Sequence, residues 1–140
     1  MIYLITAFLA FVVAQGLKYL IIAIRTGKND WRESYMSGGM PSAHSATVTS
    51  MAVIVGILNG VNSAIFAVIV LMAFIVMYDA IMVRRSNGEI GASLTTLIKK
   101  EKFDVRLPRV AKGHTPAEVV VGAIIGAAVA IVAVCIYNLF

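Results

Sequence analysis

The sequence predicts an all-α integral membrane bundle of about four transmembrane helices, with a short interfacial helix in the 84–117 loop. Three observations lead there. Of the 140 residues 60% are hydrophobic and only 14% charged, far from the balance of a soluble domain. The apolar residues gather in four runs, near 2–24, 43–58, 64–83 and 118–139, to be measured against the roughly 20 residues a helix needs to cross the hydrocarbon core. All 12 Lys and Arg residues lie near the end of the first run, in 25–41 or in 84–117, so both termini and the "NGVNS" turn lack a charged side chain.

The first run is long enough to span and lacks the basic start and small-residue cleavage site of a signal peptide, so it is read as a retained helix. The second is shorter, and Ser45, Thr47, Thr49 and Ser50 make part of its surface polar, which suits a helix facing other helices rather than lipid. Only "NGVNS" separates it from the third run, so these two form an antiparallel hairpin. In the 84–117 loop, "SNGEIGASLTTLIKK" places Ile90, Leu94 and Leu97 near one face with lysines at its end, the pattern of an interfacial helix. The fourth run carries Gly122 and Gly126 at GxxxG spacing, which serves either close packing within the chain or a homo-oligomer. Residues 1–140 make a single domain, and the lone Cys135 has no partner for an internal disulfide.

Charge sets the expected orientation. Alternating spans put both basic loops on one side, and the positive-inside rule makes that side cytoplasmic, with both termini outside, in the plasma (inner) membrane. The formal charge of +5 is then spent on orientation and lipid phosphate rather than on nucleic acid.

The same alternation gathers the unusual polar residues into one layer. Lys18 and Arg25 close the first run, "PSAH" (41–44) opens the second, Asp79, Arg84 and Arg85 close the third, and "GHTPAE" (113–118) opens the fourth. Ionisable groups at membrane depth are costly and mark functional sites. Two helix N-termini point their free N–H groups at this layer, which favours an anion, and a lipid headgroup phosphate is the anion found at that depth. Plainer roles stand beside this one. Lys18 can snorkel, Arg84 and Arg85 can serve topology alone, Ser42 can be a simple cap, and "TPAE" is a capping box with Thr115 at N-cap and Glu118 at N3. Lys18 and Arg25 are seven residues apart, two turns or roughly 10 Å along one helix face. His44 and His114, the only histidines, each open a helix beside basic groups, an arrangement suited to proton transfer or nucleophilic attack. Asp79, Glu118, His44 and His114 could supply mixed metal ligands, but HExxH, paired-cysteine and Asp-rich spacings are absent, as are P-loop and dinucleotide glycine patterns.

Taken in order, these residues resemble the type 2 phosphatidic acid phosphatase superfamily, and more closely its small divergent membrane branch related to acid phosphatases and vanadium-dependent haloperoxidases. The superfamily pattern is Lys, six residues, Arg-Pro; then Pro-Ser-Gly-His; then Ser-Arg, five residues, His, three residues, Asp. Lys18 and Arg25 keep the first spacing with Thr26 for proline, Pro41 to His44 keep the second with Ala43 for glycine, and His114 with Glu118 keeps the end of the third. The Ser-Arg element has no counterpart, since Arg109 stands one position too close to His114 and Arg106 two too far. The divergent branch resembles this chain instead through "YDAIMVRRSNG" (78–88), which implies that Arg84 or Arg85 meets the phosphate. The resemblance implies a membrane lipid phosphatase that needs no cofactor or metal. In it His114 attacks phosphorus to form a phosphohistidine, Glu118 orients His114, and His44 protonates the leaving oxygen. Lys18, Arg25, Ser42 and an Arg of the 84–85 pair hold the phosphate, with Asp79 in support. The expected substrates are phosphatidylglycerol phosphate, phosphatidic acid or a prenyl diphosphate. A non-catalytic lipid-phosphate binder or small transporter, and a structural subunit docking a partner through the basic loops, are the alternatives.

Overall fold

The computed structural model describes residues 1–27, 38–107 and 112–139. Among the described residues five α-helices follow in order: α1 (Ile2–Thr26), α2 (Ala43–Asn59), α3 (Ala64–Tyr78), α4 (Arg84–Lys100) and α5 (Pro116–Tyr137), with a π-helical segment (Asp79–Val83) joining α3 to α4. The chain is all-helical, as its composition predicts, and α1, the α3–α4 run and α5 are each long and apolar enough to cross a membrane. The shorter α2 is also apolar.

Helix ends follow local chemistry. Ser42 caps α2 by accepting the Ser45 N–H, Ser63 caps α3 by accepting the Phe66 N–H, and α5 has the predicted capping box. Gly27 ends α1 in the left-handed conformation that glycine adopts without steric cost.

Packing is inverted relative to a soluble protein. Large apolar side chains such as Leu4, Phe8, Phe74 and Ile124 point outward, while the interfaces hold Ala7, Ala10 and Ala14 on α1, Ala43 and Ala46 on α2, and Ala130 on α5. Lipid is as apolar as leucine, so small residues that let backbones approach gain more at an interface than large ones. Gly122 and Gly126 take this furthest. A Cβ at Gly122 would fall 2.3 Å from the Ser42 carbonyl oxygen, and one at Gly126 2.1 Å from that of Ala46. The GxxxG face is therefore occupied by α2 of the same chain. That makes α2 the centre of the bundle, packed against α5, α1 and α3. At one end Ile54, Val55, Ala130 and Val134 form an aliphatic cluster, and the Tyr3 hydroxyl donates to Asn59 Oδ1 at 2.7 Å.

The 84–117 region departs from expectation. The interfacial helix was expected as a separate element within a loop. Instead α4 starts at Arg84 and continues α3 through the π segment, so 37 residues from Ala64 to Lys100 form one helical run. The expected stripe is nevertheless there, with Ile90, Leu94 and Leu97 exposed along α4 and Lys99 and Lys100 in its last turn. Arg109 lies outside the described residues.

Candidate functional site

The end of the bundle away from Tyr3 and Asn59 is assembled by backbone contacts between elements far apart in sequence. The Ser42 N–H donates to the Glu118 carbonyl at 3.1 Å, and the His114 N–H donates to the Ala80 carbonyl at 3.0 Å. The first bond ties the start of α2 to α5; the second ties the segment before α5 to the π segment. Gly113 sits so close to α4 that a Cβ would meet the Arg85 backbone nitrogen at 2.3 Å. Gly38 and Gly39, at φ +100° and +85°, turn the chain toward Pro41 in a region that side-chain-bearing residues avoid, and Gly39 lies against the Lys18 side chain.

These constraints bring most of the expected residues together. Lys18 on α1 is 4% exposed and lies within electrostatic reach of Glu118. His44, exposed at the start of α2, is within electrostatic reach of Arg84, His114, Lys18 and Asp79. His114 is 4% exposed, and its Nδ1 lies 3.1 Å from Glu118 Oε2. The same oxygen accepts the Thr115 N–H at 3.1 Å, while Glu118 donates its own N–H to Thr115 Oγ1. Capping and orientation, which the sequence set in competition, are thus met by one carboxylate oxygen. Because an ionised carboxylate only accepts, Nδ1 carries the proton and Nε2 is left with its lone pair. Burial pushes the His114 imidazole below its usual pKa; the Glu118 hydrogen bond opposes this, and nearby Lys18 and Arg84 reinforce it.

Four expected phosphate contacts are placed differently from one another. Arg84 donates from Nε to Asp79 Oδ2 at 2.5 Å and remains within reach of both histidines. The pair spans i,i+5 because the π turn closes on that spacing, with the Arg84 N–H bonded to the Asp79 carbonyl. Arg85 instead pairs with Glu89 at 3.3 Å and faces a cavity of about 290 Å³ that Lys112 and His114 also line. Arg25 is exposed in the last turn of α1, and among the described residues it makes no ion pair. Ser42 is fully buried, its N–H taken by Glu118 and its Oγ by the Ser45 N–H and hydroxyl, so its visible work is capping. The N–H groups of Ala43 and His44, the next two along, find no backbone acceptor among the described residues.

Sequence reasoning took Ser45 only as part of the polar face of the second run and gave Lys112 no role of its own. The Ser42-x-x-Ser45 spacing is one helical turn, a readable sign that the second hydroxyl would reach the first. Lys112 gave no sign beyond its place two residues before His114.

The family model described as "Divergent PAP2 family" matches residues 2–129. An uncharacterized membrane protein of Bacillus subtilis (strain 168), YuiD, is 33% identical over 138 residues, covering 88% of this chain and 87% of its own length. No solved structure matches the chain.

Proposed function

This chain belongs to the divergent PAP2 family and is an integral membrane protein, and on that premise we propose that it is a lipid phosphatase working through a phosphohistidine. The observation that carries the reading is the Glu118–His114 pair, with His44, Lys18 and Arg84 gathered around it. Glu118 holds the proton on Nδ1, so the Nε2 lone pair of His114 attacks the terminal phosphorus as its P–O bond to the leaving oxygen breaks. Protonated His44 gives its proton to that oxygen, which leaves as the lipid alcohol from a monoester or as the lipid monophosphate from a diphosphate. Water then attacks the phosphohistidine, His44 takes back a proton from it, and inorganic phosphate and free His114 remain. Lys18, Arg84 and the N–H groups of Ala43 and His44 stabilise charge on the phosphoryl oxygens. Asp79 fixes the Arg84 guanidinium, and Ser42 fixes the helix that presents those N–H groups. Arg25 and Arg85 reach the phosphate only if the substrate draws them in.

The substrate class is a phosphate monoester or diphosphate on a lipid, with phosphatidylglycerol phosphate, phosphatidic acid and prenyl diphosphates as candidates, at the cytoplasmic leaflet by the charge asymmetry. The test is phosphate release by purified protein over this lipid panel, with and without chelator. Release that survives chelation and disappears in both His44→Ala and His114→Ala supports the reading. Full activity in either variant overturns it. Vanadate binding with no hydrolysis of any lipid would favour a non-catalytic phosphate binder.

A further inference from the structure

One apolar groove lies over α2, between α1 and α3. It is lined by Ala7 of α1, Thr47, Val48 and Met51 of α2, and Ile69 and Met72 of α3, and encloses about 160 Å³. It exists because α1 and α3 both pack on α2 but scarcely on each other, which leaves a lateral gap over α2. Thr47 donates its hydroxyl to the Ala43 carbonyl at 2.9 Å, so a polar residue adds no unmet hydrogen-bonding group to the wall. Two methionines line the gap, and their unbranched side chains adapt to irregular apolar shapes.

Helical register ties this groove to the candidate site on all three walls. On α2, His44, Thr47, Val48 and Met51 are spaced i, i+3, i+4 and i+7, one continuous face, and His44 is its exposed upper end. On α3, Met72, Val76 and Asp79 share a face, and on α1 Ala7, Ala14 and Lys18 do. The three faces converge on Lys18, His44 and Asp79. At 1.5 Å per residue the lining residues run from about 5 Å below that layer at Thr47 to about 16 Å at Ala7.

We infer that this groove holds the hydrocarbon chain of a lipid phosphate whose headgroup sits at His44 and His114, with the chain passing laterally between α1 and α3. The inference rests on the lipid-phosphatase reading, in which the leaving oxygen departs past His44, one helical turn above Thr47 in the groove wall. Met51, Met72 and Ile69 then set which chains fit.

Two measurements test it. In a Cys135→Ser background, bimane at Met51→Cys is exposed to brominated-chain phosphatidic acid or brominated-chain phosphatidylcholine in micelles. Quenching at about tenfold lower phosphatidic acid than phosphatidylcholine, reversed by vanadate, supports the groove. A label at Phe74→Cys, on the lipid-facing side of α3, should show no such preference. Equal response to both lipids at Met51→Cys overturns the inference, because bulk lipid would explain it. In the second measurement Met72→Trp narrows the gap at a half-exposed position. The ratio of kcat/KM for dioleoyl over dihexanoyl phosphatidic acid should fall about tenfold, and an unchanged ratio counts against the groove. If the wild type hydrolyses no lipid at all, the phosphatase reading fails while the quenching still decides where the chain lies.

Discussion

In the proposed mechanism the chemistry turns on His114 and Glu118. Replacing His114 by Ala removes the proposed nucleophile, and phosphate release should fall by at least about 10³-fold. Glu118→Gln keeps the size of the side chain but removes the charge that fixes the Nδ1 proton; kcat should drop about 10²-fold or more while KM changes little. A near-normal rate in Glu118→Gln would leave the carboxylate with capping alone. The pH profile adds a separate test. Burial lowers the His114 pKa below its usual 6.5, so the neutral nucleophile persists to lower pH and the acid limb of kcat/KM should lie below that value. Substrate phosphate itself titrates near pH 6 or so, and comparison with the variant removes that ambiguity. Glu118 raises the His114 pKa, so Glu118→Gln should move the acid limb to still lower pH, whereas a limb due to substrate stays put. At this scale the sequence was most readable where residues sit at helix starts, since caps, prolines and histidines there have fixed directions. It was least readable for Arg25. A seven-residue spacing gives Arg25 the same face as Lys18 but also two further turns of rise, and Lys18 is buried where Arg25 is exposed.

Among the elements, the contact between α2 and α5 decides whether the two histidine-bearing segments meet. Gly122→Ala and Gly126→Ala each place a methyl group against a carbonyl oxygen, at 2.3 Å and 2.1 Å from the present backbone, so the helices must move apart. Each should cost about 1–3 kcal/mol as overpacking and lower the melting temperature in detergent. Gly16→Ala is the matched control, with nothing within 4 Å of its Cβ, and should be neutral or stabilising by up to about 1 kcal/mol. Equal melting for all three would show that α2 and α5 are not held by this glycine face. The sequence offered the GxxxG spacing but no means of choosing its partner, because the alternative surfaces are equally apolar. The joining of α3 to α4 was hidden for a different reason. Arg84, Arg85 and Gly88 read as the start of a loop after an apolar run, yet the π turn lets Asp79 pair with Arg84 at i,i+5 and carries the helix past its charges.

For the whole molecule the question is which way the bundle faces. Tyr3 and Asn59 mark one layer and Lys18 and His44 the other, fifteen residues apart on both α1 and α2. That is about 23 Å of helix, less than the roughly 30 Å of hydrocarbon. At least one of the two polar layers then lies below its interface. In sequence every Lys and Arg stands near the end of the first run, in 25–41 or in 84–117, so the positive-inside rule predicts a cytoplasmic site with the α2–α3 turn outside. Val61 in that turn is exposed, and Lys102 follows α4 at the opposite end. In intact cells carrying Cys135→Ser, a membrane-impermeant maleimide should label Val61→Cys, and should label Lys102→Cys only after permeabilisation. The reverse pattern would put the histidines at the outer leaflet, where a phosphatase meets lipids being recycled rather than newly made ones.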